Sequence, residues 1–259
     1  MTSTIETELA AYEGRLLGTI PVDRIHAIAF ERPSADLVAR FRSLPDLTSA
    51  IADILDEYGV DSAIPTTALP PIAAGQRMVG PAVTVKHGAA RLTSGYNIAN
   101  KTSPRLGALD AVTLSQPGDV MVIDGSACPA ASNIGGIMAT AVAANGFAGV
   151  VVDGCVRDTD TMRRMGLPVW ARGATPRTGK HRFELLAFNG VVEIAGVQIR
   201  PGDLMLGDSD GVIVVPLAIA ADVLARAEEV AAKEKSLIDA LSTGASAAET
   251  AAIVAPEKW

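Results

Sequence analysis

Arg157 and Asp158 stand side by side in the stretch Gly149-Val-Val-Val-Asp-Gly-Cys-Val-Arg-Asp-Thr-Asp160, a few residues beyond a run of three valines. Such a run is the pattern of a strand buried on both faces. Side chains at the carboxyl ends of parallel strands face the crevice where α/β proteins bind ligands. A guanidinium there can grip a carboxylate and a keto oxygen in a fork. A carboxylate there can hold a hard divalent cation, Mg²⁺ or Mn²⁺, through few direct ligands and several waters. The same two residues equally suit a salt bridge or a helix N-cap, because Thr159-Asp160-Thr161-Met162 reads as a helix start.

Upstream, Gly135-Gly136 open Ile137-Met-Ala-Thr-Ala-Val-Ala-Ala144, an alanine-rich helix stopped by Asn145-Gly146. Two glycines at a helix entry let a ligand come close to the backbone, and a helix N-terminus with unpaired N–H groups attracts anions. A glycine pair alone also suits tight helix–sheet packing. The elements that position these residues form a β-α-β unit: strand Val120–Asp124, a small and polar loop over 125–134, the helix, then strand Gly149–Val152. Both features therefore close neighbouring connections at one edge of a sheet. Backbone donors, a guanidinium and a carboxylate in one place suit a 2-oxo acid, whose enolate they would stabilise as a carbon–carbon bond breaks.

Around this unit, residues 1–60 read as helical and polar, with apolar residues at helical spacing over Asp36–Ser43 and Asp46–Tyr58; Asp46 or Thr48 would cap the second helix. Residues 61–80, with three prolines, read as loop. Strands are expected at Val79–Lys86, Pro168–Ala171, Val191–Ile194, Val197–Ile199 and Gly211–Pro216. Short and long helices follow at Thr159–Met165 and Asp222–Leu241, and a loosely ordered tail at 242–259. Turns at Pro117-Gly-Asp119 and Pro201-Gly-Asp203 lead into strands. The reading is mixed α/β and a single domain overall: a helical extension over 1–74 packed on the core, a catalytic region over 75–241, and the tail.

With 49% hydrophobic and 20% charged residues, the 259-residue chain can build a sizeable core, and with 4% aromatics that core must be aliphatic. A net charge of −7 argues against nucleic acid as a partner. The two cysteines, Cys128 and Cys155, make no disulfide framework and point to a reducing, cytoplasmic setting. No signal peptide or membrane span is expected.

The segments Gly135-Gly-Ile-Met, Gly149 to Asp158 and Pro168-Val-Trp-Ala-Arg-Gly-Ala-Thr-Pro176 closely resemble the RraA-like family. So do Pro117 to Asp124 and Pro201-Gly-Asp with Asp210-Gly-Val-Ile-Val-Val-Pro216, the likeness covering roughly 75–240. The specific pattern is a Gly, twenty intervening residues, then Arg-Asp, met here by Gly136 and Arg157-Asp158. The family includes divalent-metal-dependent aldolases of 4-hydroxy-4-methyl-2-oxoglutarate, members that decarboxylate oxaloacetate, and a protein regulator of RNase E. The resemblance implies a swivelling β/β/α (phosphohistidine-domain-like) sandwich with N- and C-terminal helices, and trimers or hexamers with sites between protomers. It also implies Asp158 as metal ligand, Arg157 as substrate anchor and the amides near Ile137 and Met138 as a carboxylate cradle. Aldolase members often carry an acid where Gly136 stands. A carboxylate from a neighbour's C-terminal helix contributes in the family, with Glu228, Glu229 and above all Glu234 as candidates. The expected activity is a metal-dependent lyase acting on a 2-oxo acid, by retro-aldol cleavage or decarboxylation; a sugar-acid dehydratase and a non-catalytic protein regulator are the alternatives.

Three further groups carry chemistry-bearing residues. Arg177 with Lys180-His181-Arg182 is a solvated basic loop or a binder of a second substrate carboxylate. His87 is a strand-end surface residue or a base near neutral pH. Cys155 reads as a small buried apolar residue.

Overall fold

A computed structural model describes residues 4–102 and 104–253. In chain order the elements are α1 (Thr4–Leu9), α2 (Ala35–Ser43), α3 (Leu47–Glu57), β1 (Ala63–Pro65), β2 (Met78–Ala89), α4 (Ser94–Asn100), α5 (Ala108–Thr113), β3 (Val120–Ile134), α6 (Gly136–Asn145), β4 (Gly149–Val156), α7 (Thr159–Met165), β5 (Val169–Ala174), β6 (Phe183–Phe188), β7 (Val192–Ile194), β8 (Val197–Ile199), β9 (Leu204–Gly207), β10 (Gly211–Val215), α8 (Ala220–Ser242) and α9 (Ala247–Ile253). The mixed α/β class read from the sequence holds.

One strand joins two sheets. The carboxyl half of β2 runs parallel to β3, which continues parallel to β4 and β5, and antiparallel to β6. Its amino half pairs antiparallel with β9, followed by β10 and β1. Helices α5, α6 and α7 cover one face of the parallel part through an aliphatic core that includes Val150, Val152, Val142 and Met162. Helices α2, α3 and α8 cover the other sheet around Phe41, Leu47, Ile51, Leu204 and Val223. A third cluster, built on Trp170, Val122 and Val151, packs under the β7–β8 hairpin. Every residue of β4 is buried, so the valine run is a two-faced central strand as expected.

That hairpin face carries a row of charges across four strands. Lys86 lies opposite Asp124 and Asp124 opposite Asp153, in register. Lys86 Nζ is 3.1 Å from Asp124 Oδ2, and Arg172 donates to Asp153. The remaining carboxylate oxygens take the backbone N–H groups of Ser126 and Ala195. Two nearly buried acids are thus each paired and hydrogen-bonded, the condition under which burial of a charge is tolerated, and Asp153 ties the hairpin turn to the sheet.

Several local expectations are corrected. The stretch 125–134 is not a loop: β3 continues to Ile134 and pairs irregularly with β4, shifting register after Asp124, after Cys128 and after Ser132. Left-handed backbone at Ser126 and Ala127 breaks the regular pleat, which is why small polar residues there read as coil. Between residues 10 and 34 the chain is irregular except for short 3₁₀ turns. The stretch 61–80 contains β1 and the start of β2. The tail forms α9 over 247–253, and its last residues lie outside the described ones.

Neither Asp46 nor Thr48 caps α3 by its side chain. Asp46 occupies the N-cap position without a side-chain bond. The cap comes instead from the β9–β10 turn: Asp208 accepts the Thr48 backbone N–H at 2.9 Å and its hydroxyl at 2.6 Å. Replacing Asp208 with Ala removes both bonds at a buried helix start and is expected to destabilise the protein by about 1–2 kcal/mol, read as a lower denaturant midpoint with an unchanged slope.

Candidate active site

The carboxyl ends of β3 and β4 bring the two sequence features together. Asp158 holds left-handed backbone, φ 58° and ψ 39°, at the N-cap position of α7, yet its side chain does not cap that helix. It turns back to α6, where Oδ2 accepts the Gly136 N–H at 2.8 Å. Arg157 reaches the same place: its Nε lies 3.7 Å from Asp158 Oδ2. Both glycines are explained by this approach. A Cβ on Gly135 would meet Arg157 Nε at 2.7 Å and Asp158 Oδ2 at 3.0 Å, and one on Gly136 would meet the Asp158 Cβ at 3.2 Å. The pair is not locked in a dry interior, since the side chains are 38% and 47% exposed.

Beside them opens a cavity of about 480 Å³. Gly135, Ile137, Met138 and Arg157 line it, with Leu106 and Lys180 on other walls. Ile137 is 84% exposed at its mouth. The amides of Ile137 and Met138 belong to the first turn of α6, where an α-helix offers its N–H groups no internal acceptor. Those donors and the guanidinium suit an anion; Asp158 has one oxygen on Gly136, and its second can serve a cation.

The structure therefore gathers Gly135, Gly136, Ile137, Met138, Arg157 and Asp158 at one rim. It does not bring Glu234 there within the chain: Glu234 lies on α8, in the layer formed with α2 and α3. Glu228 is bonded to Arg40, and Glu229 lies 3.8 Å from Arg226. Among the described residues no group of three or more His, Cys, Asp or Glu side chains gathers to enclose a metal. A cation at Asp158 would keep water and substrate oxygens in most positions, which fits Mg²⁺ or Mn²⁺ and their oxygen preference.

His87 is not a surface residue: it is 2% exposed. Its Nδ1 lies 3.1 Å from the Asn133 side-chain amide and its Nε2 3.3 Å from the Leu106 carbonyl. Burial is the main cause holding its pKa below the ordinary imidazole range, against the opposing hydrogen bonds. Both ring nitrogens face acceptors, Asn133 Oδ1 and the Leu106 carbonyl, so a neutral ring donates its one N–H to one of the two. His87 is thus a pin beneath two cavity-lining residues, Leu106 and Asn133, rather than a base facing substrate. Sequence reasoning missed it because its partners lie 19 and 46 residues away. Cys155 is buried as expected. In the basic loop, Arg182 donates to the Thr178 carbonyl, whereas Lys180 is exposed on the cavity wall.

Similarity to known proteins agrees with this geometry. A family model described as RraA-like, Aldolase/RraA, matches residues 48–214. The chain belongs to the RraA-like family. A Halalkalibacterium halodurans protein provisionally named 4-hydroxy-4-methyl-2-oxoglutarate aldolase is 33% identical over 80% of this chain and 89% of its own. Among solved structures, an uncharacterised protein from Pseudomonas syringae superposes with a TM-score of 0.72 at 29% identity, covering 85% of this chain and 99% of that one. Streptomyces coelicolor RraAS2, described as an unusual member of the RNase ES inhibitor RraA family, gives 0.68 at 26%, covering 80% and 98%. No helix among the described residues is long and apolar enough to cross a membrane.

The His87 environment has a pH consequence. Its folded pKa is lowered, so between that value and the unfolded one near 6.5 the unfolded chain binds more protons, and stability falls as pH drops through this window. The thermal midpoint is expected to decline on acidification below about pH 6.5. In His87→Gln that decline should flatten, measured against the parent at several pH values.

Proposed function

We propose that this protein is a divalent-metal-dependent carbon–carbon lyase acting on a 2-oxo acid through a pyruvate enolate. The observation that carries the reading is the meeting of the α6 amides, Arg157 and Asp158 at one exposed rim beside a cavity. The names of relatives support the class of reaction.

The chain's own residues supply recognition and charge. The amides of Ile137 and Met138 would take the substrate carboxylate, and Arg157 would grip the keto oxygen. When the bond to the departing carboxyl breaks, carbon dioxide leaves and the electron pair passes through C3 and C2 to the keto oxygen, where Arg157 meets the growing negative charge. Solvent then protonates C3 and pyruvate results. A Mg²⁺ or Mn²⁺ held by Asp158 would add a second positive charge at that oxygen. Retro-aldol cleavage further needs a proton acceptor for the 4-hydroxyl. The titratable residues lining the cavity, Arg157 and Lys180, are both cations, and position 136 carries no side chain. Decarboxylation therefore suits the residues of a single chain better, and retro-aldol chemistry calls for Glu234 of a neighbouring protomer in a trimer or hexamer.

Pyruvate release from oxaloacetate and from 4-hydroxy-2-oxo acids, with and without chelator, tests the reading. Asp158→Ala is expected to abolish the chelator-sensitive part, and Arg157→Met to lower kcat by about 10²–10³-fold, the usual cost of one oxyanion donor. Turnover with Mg²⁺ or Mn²⁺ surviving in Asp158→Ala would refute the metal assignment. An absence of chelator-sensitive release from every 2-oxo acid would favour a protein-binding regulator, in keeping with the inhibitor family to which the Streptomyces neighbour is assigned.

A further inference from the structure

A second cavity, of about 360 Å³, adjoins the first. Leu106, Ala108, Leu109 and Lys180 line both. Its outer wall is made by Leu17 and Thr19, residues of the irregular N-terminal segment. Those residues precede the part matched by the family model, which begins at residue 48, whereas Gly135 to Asp158 lie inside it. The wall therefore lies outside the stretch that the family model matches.

The N-terminal segment is firmly attached. Asp110, 2% exposed on α5, accepts the backbone N–H groups of Leu17 and Thr19 and the Thr19 hydroxyl at 2.6 Å. Burial alone would raise the Asp110 carboxyl, but the hydrogen bonds from Thr19, Leu17 and Ile20 outweigh it and hold the group below its ordinary range. The next residue, Ile20, is buried over Gly107, where a Cβ would meet Ile20 Cγ1 at 2.6 Å. Gly107 is left-handed, φ 64°, so glycine suits both its backbone and its neighbour. A charged clasp and a close backbone approach hold Leu17–Ile20 as a strap beside the candidate site.

We propose that this strap builds a chamber for an apolar extension of the substrate: the chain takes a 2-oxo acid whose carbon skeleton continues past the reacting atoms into the space between Leu17, Leu109 and Leu106. The inference rests on the reading of the preceding subsection, because the head of the substrate is placed at Arg157 and the α6 amides. Leu106, Ala108, Leu109 and Lys180 border both cavities, so the second lies directly beside the place where the head is anchored. Apolar side chains supply most of the second lining, beside Thr19, Arg105 and Lys180, and no acid among the described residues lines it. Each methylene buried there would tighten binding about fourfold, the factor equivalent to about 0.8 kcal/mol.

Calorimetry with oxamate and N-butyl oxamate, in the presence of Mg²⁺, reads this without turnover. The expected result is that the protein binds N-butyl oxamate at least about tenfold more tightly, the gain from burying about two of its four added carbons. In Leu17→Asp, an exposed substitution, the ratio of the two affinities should fall towards one, and Asp110→Asn, which loosens the clasp, should lower it as well. Oxamate binding with no gain from the butyl group overturns the chamber and leaves the lyase reading standing. A gain retained in full by Leu17→Asp also overturns it, since the strap would then not be the wall. Failure of both compounds to bind overturns the head-group placement and the chamber with it.

Discussion

The site depends on which helix receives the Asp158 carboxylate. Its position in the chain, just before α7, is that of an N-cap, and an extended backbone there would direct the side chain to the amides of its own helix. Left-handed backbone at Asp158 turns it the other way, onto the Gly136 N–H. Asp is among the residues that tolerate this conformation most readily. The α6 macrodipole favours an anion at that end by a few tenths to about 1 kcal/mol. The glycines at 135 and 136 are the other half of the constraint, because a Cβ on Gly135 would collide with Arg157 and one on Gly136 would crowd Asp158.

This arrangement settles a conflict within the site. On the proposed reading a substrate carboxylate would compete with the Asp158 carboxylate for the start of α6. Asp158 takes the first amide and leaves those of Ile137 and Met138 to the cavity side. Arg157, 3.7 Å from Asp158 Oδ2, is near enough to balance its charge and too far to be consumed by a tight bidentate pair. The row Lys86, Asp124, Asp153 and Arg172 shows the contrast. There every carboxylate oxygen is engaged within the protein, and Asp153 fastens the hairpin.

Much of this was legible in the sequence, for a local reason. The valine run, the glycine pair, the alanine-rich helix and Arg157-Asp158 lie within two consecutive connections, and parallel β-α-β geometry forces such connections to one edge. What stayed hidden depends on long-range contacts without period. The Asp110 clasp joins residues 91 and 93 positions apart, and nothing in Leu17-Gly-Thr-Ile20 announces a strap. Asp208 capping α3 spans 160 positions. The strand β6, Phe183–Phe188, pairs with β2 and follows directly on the basic loop, whose charges concealed it. His87 reads as a strand-end polar residue because the chain that covers it, around Leu106 and Asn133, comes later and from two different elements.

The distribution of charge around the cavity also bears on how the fold divides labour. Its lining offers amides and two cations, with Asp158 at the margin as the one carboxylate of the cluster among the described residues. Such a surface stabilises negative charge on a bound molecule and has little capacity to accept a proton from it. His87, which could have done so, is kept neutral by burial and holds Leu106 and Asn133 from below. Leu106 is also the wall between the two cavities. The loop that carries Leu106 therefore borders both the polar rim and the apolar space behind the strap. On the proposed reading, proton acceptance would come from solvent or from outside the chain, while recognition of the substrate's carbon skeleton would fall to residues near the N-terminus, far in sequence from Gly136 and Arg157-Asp158.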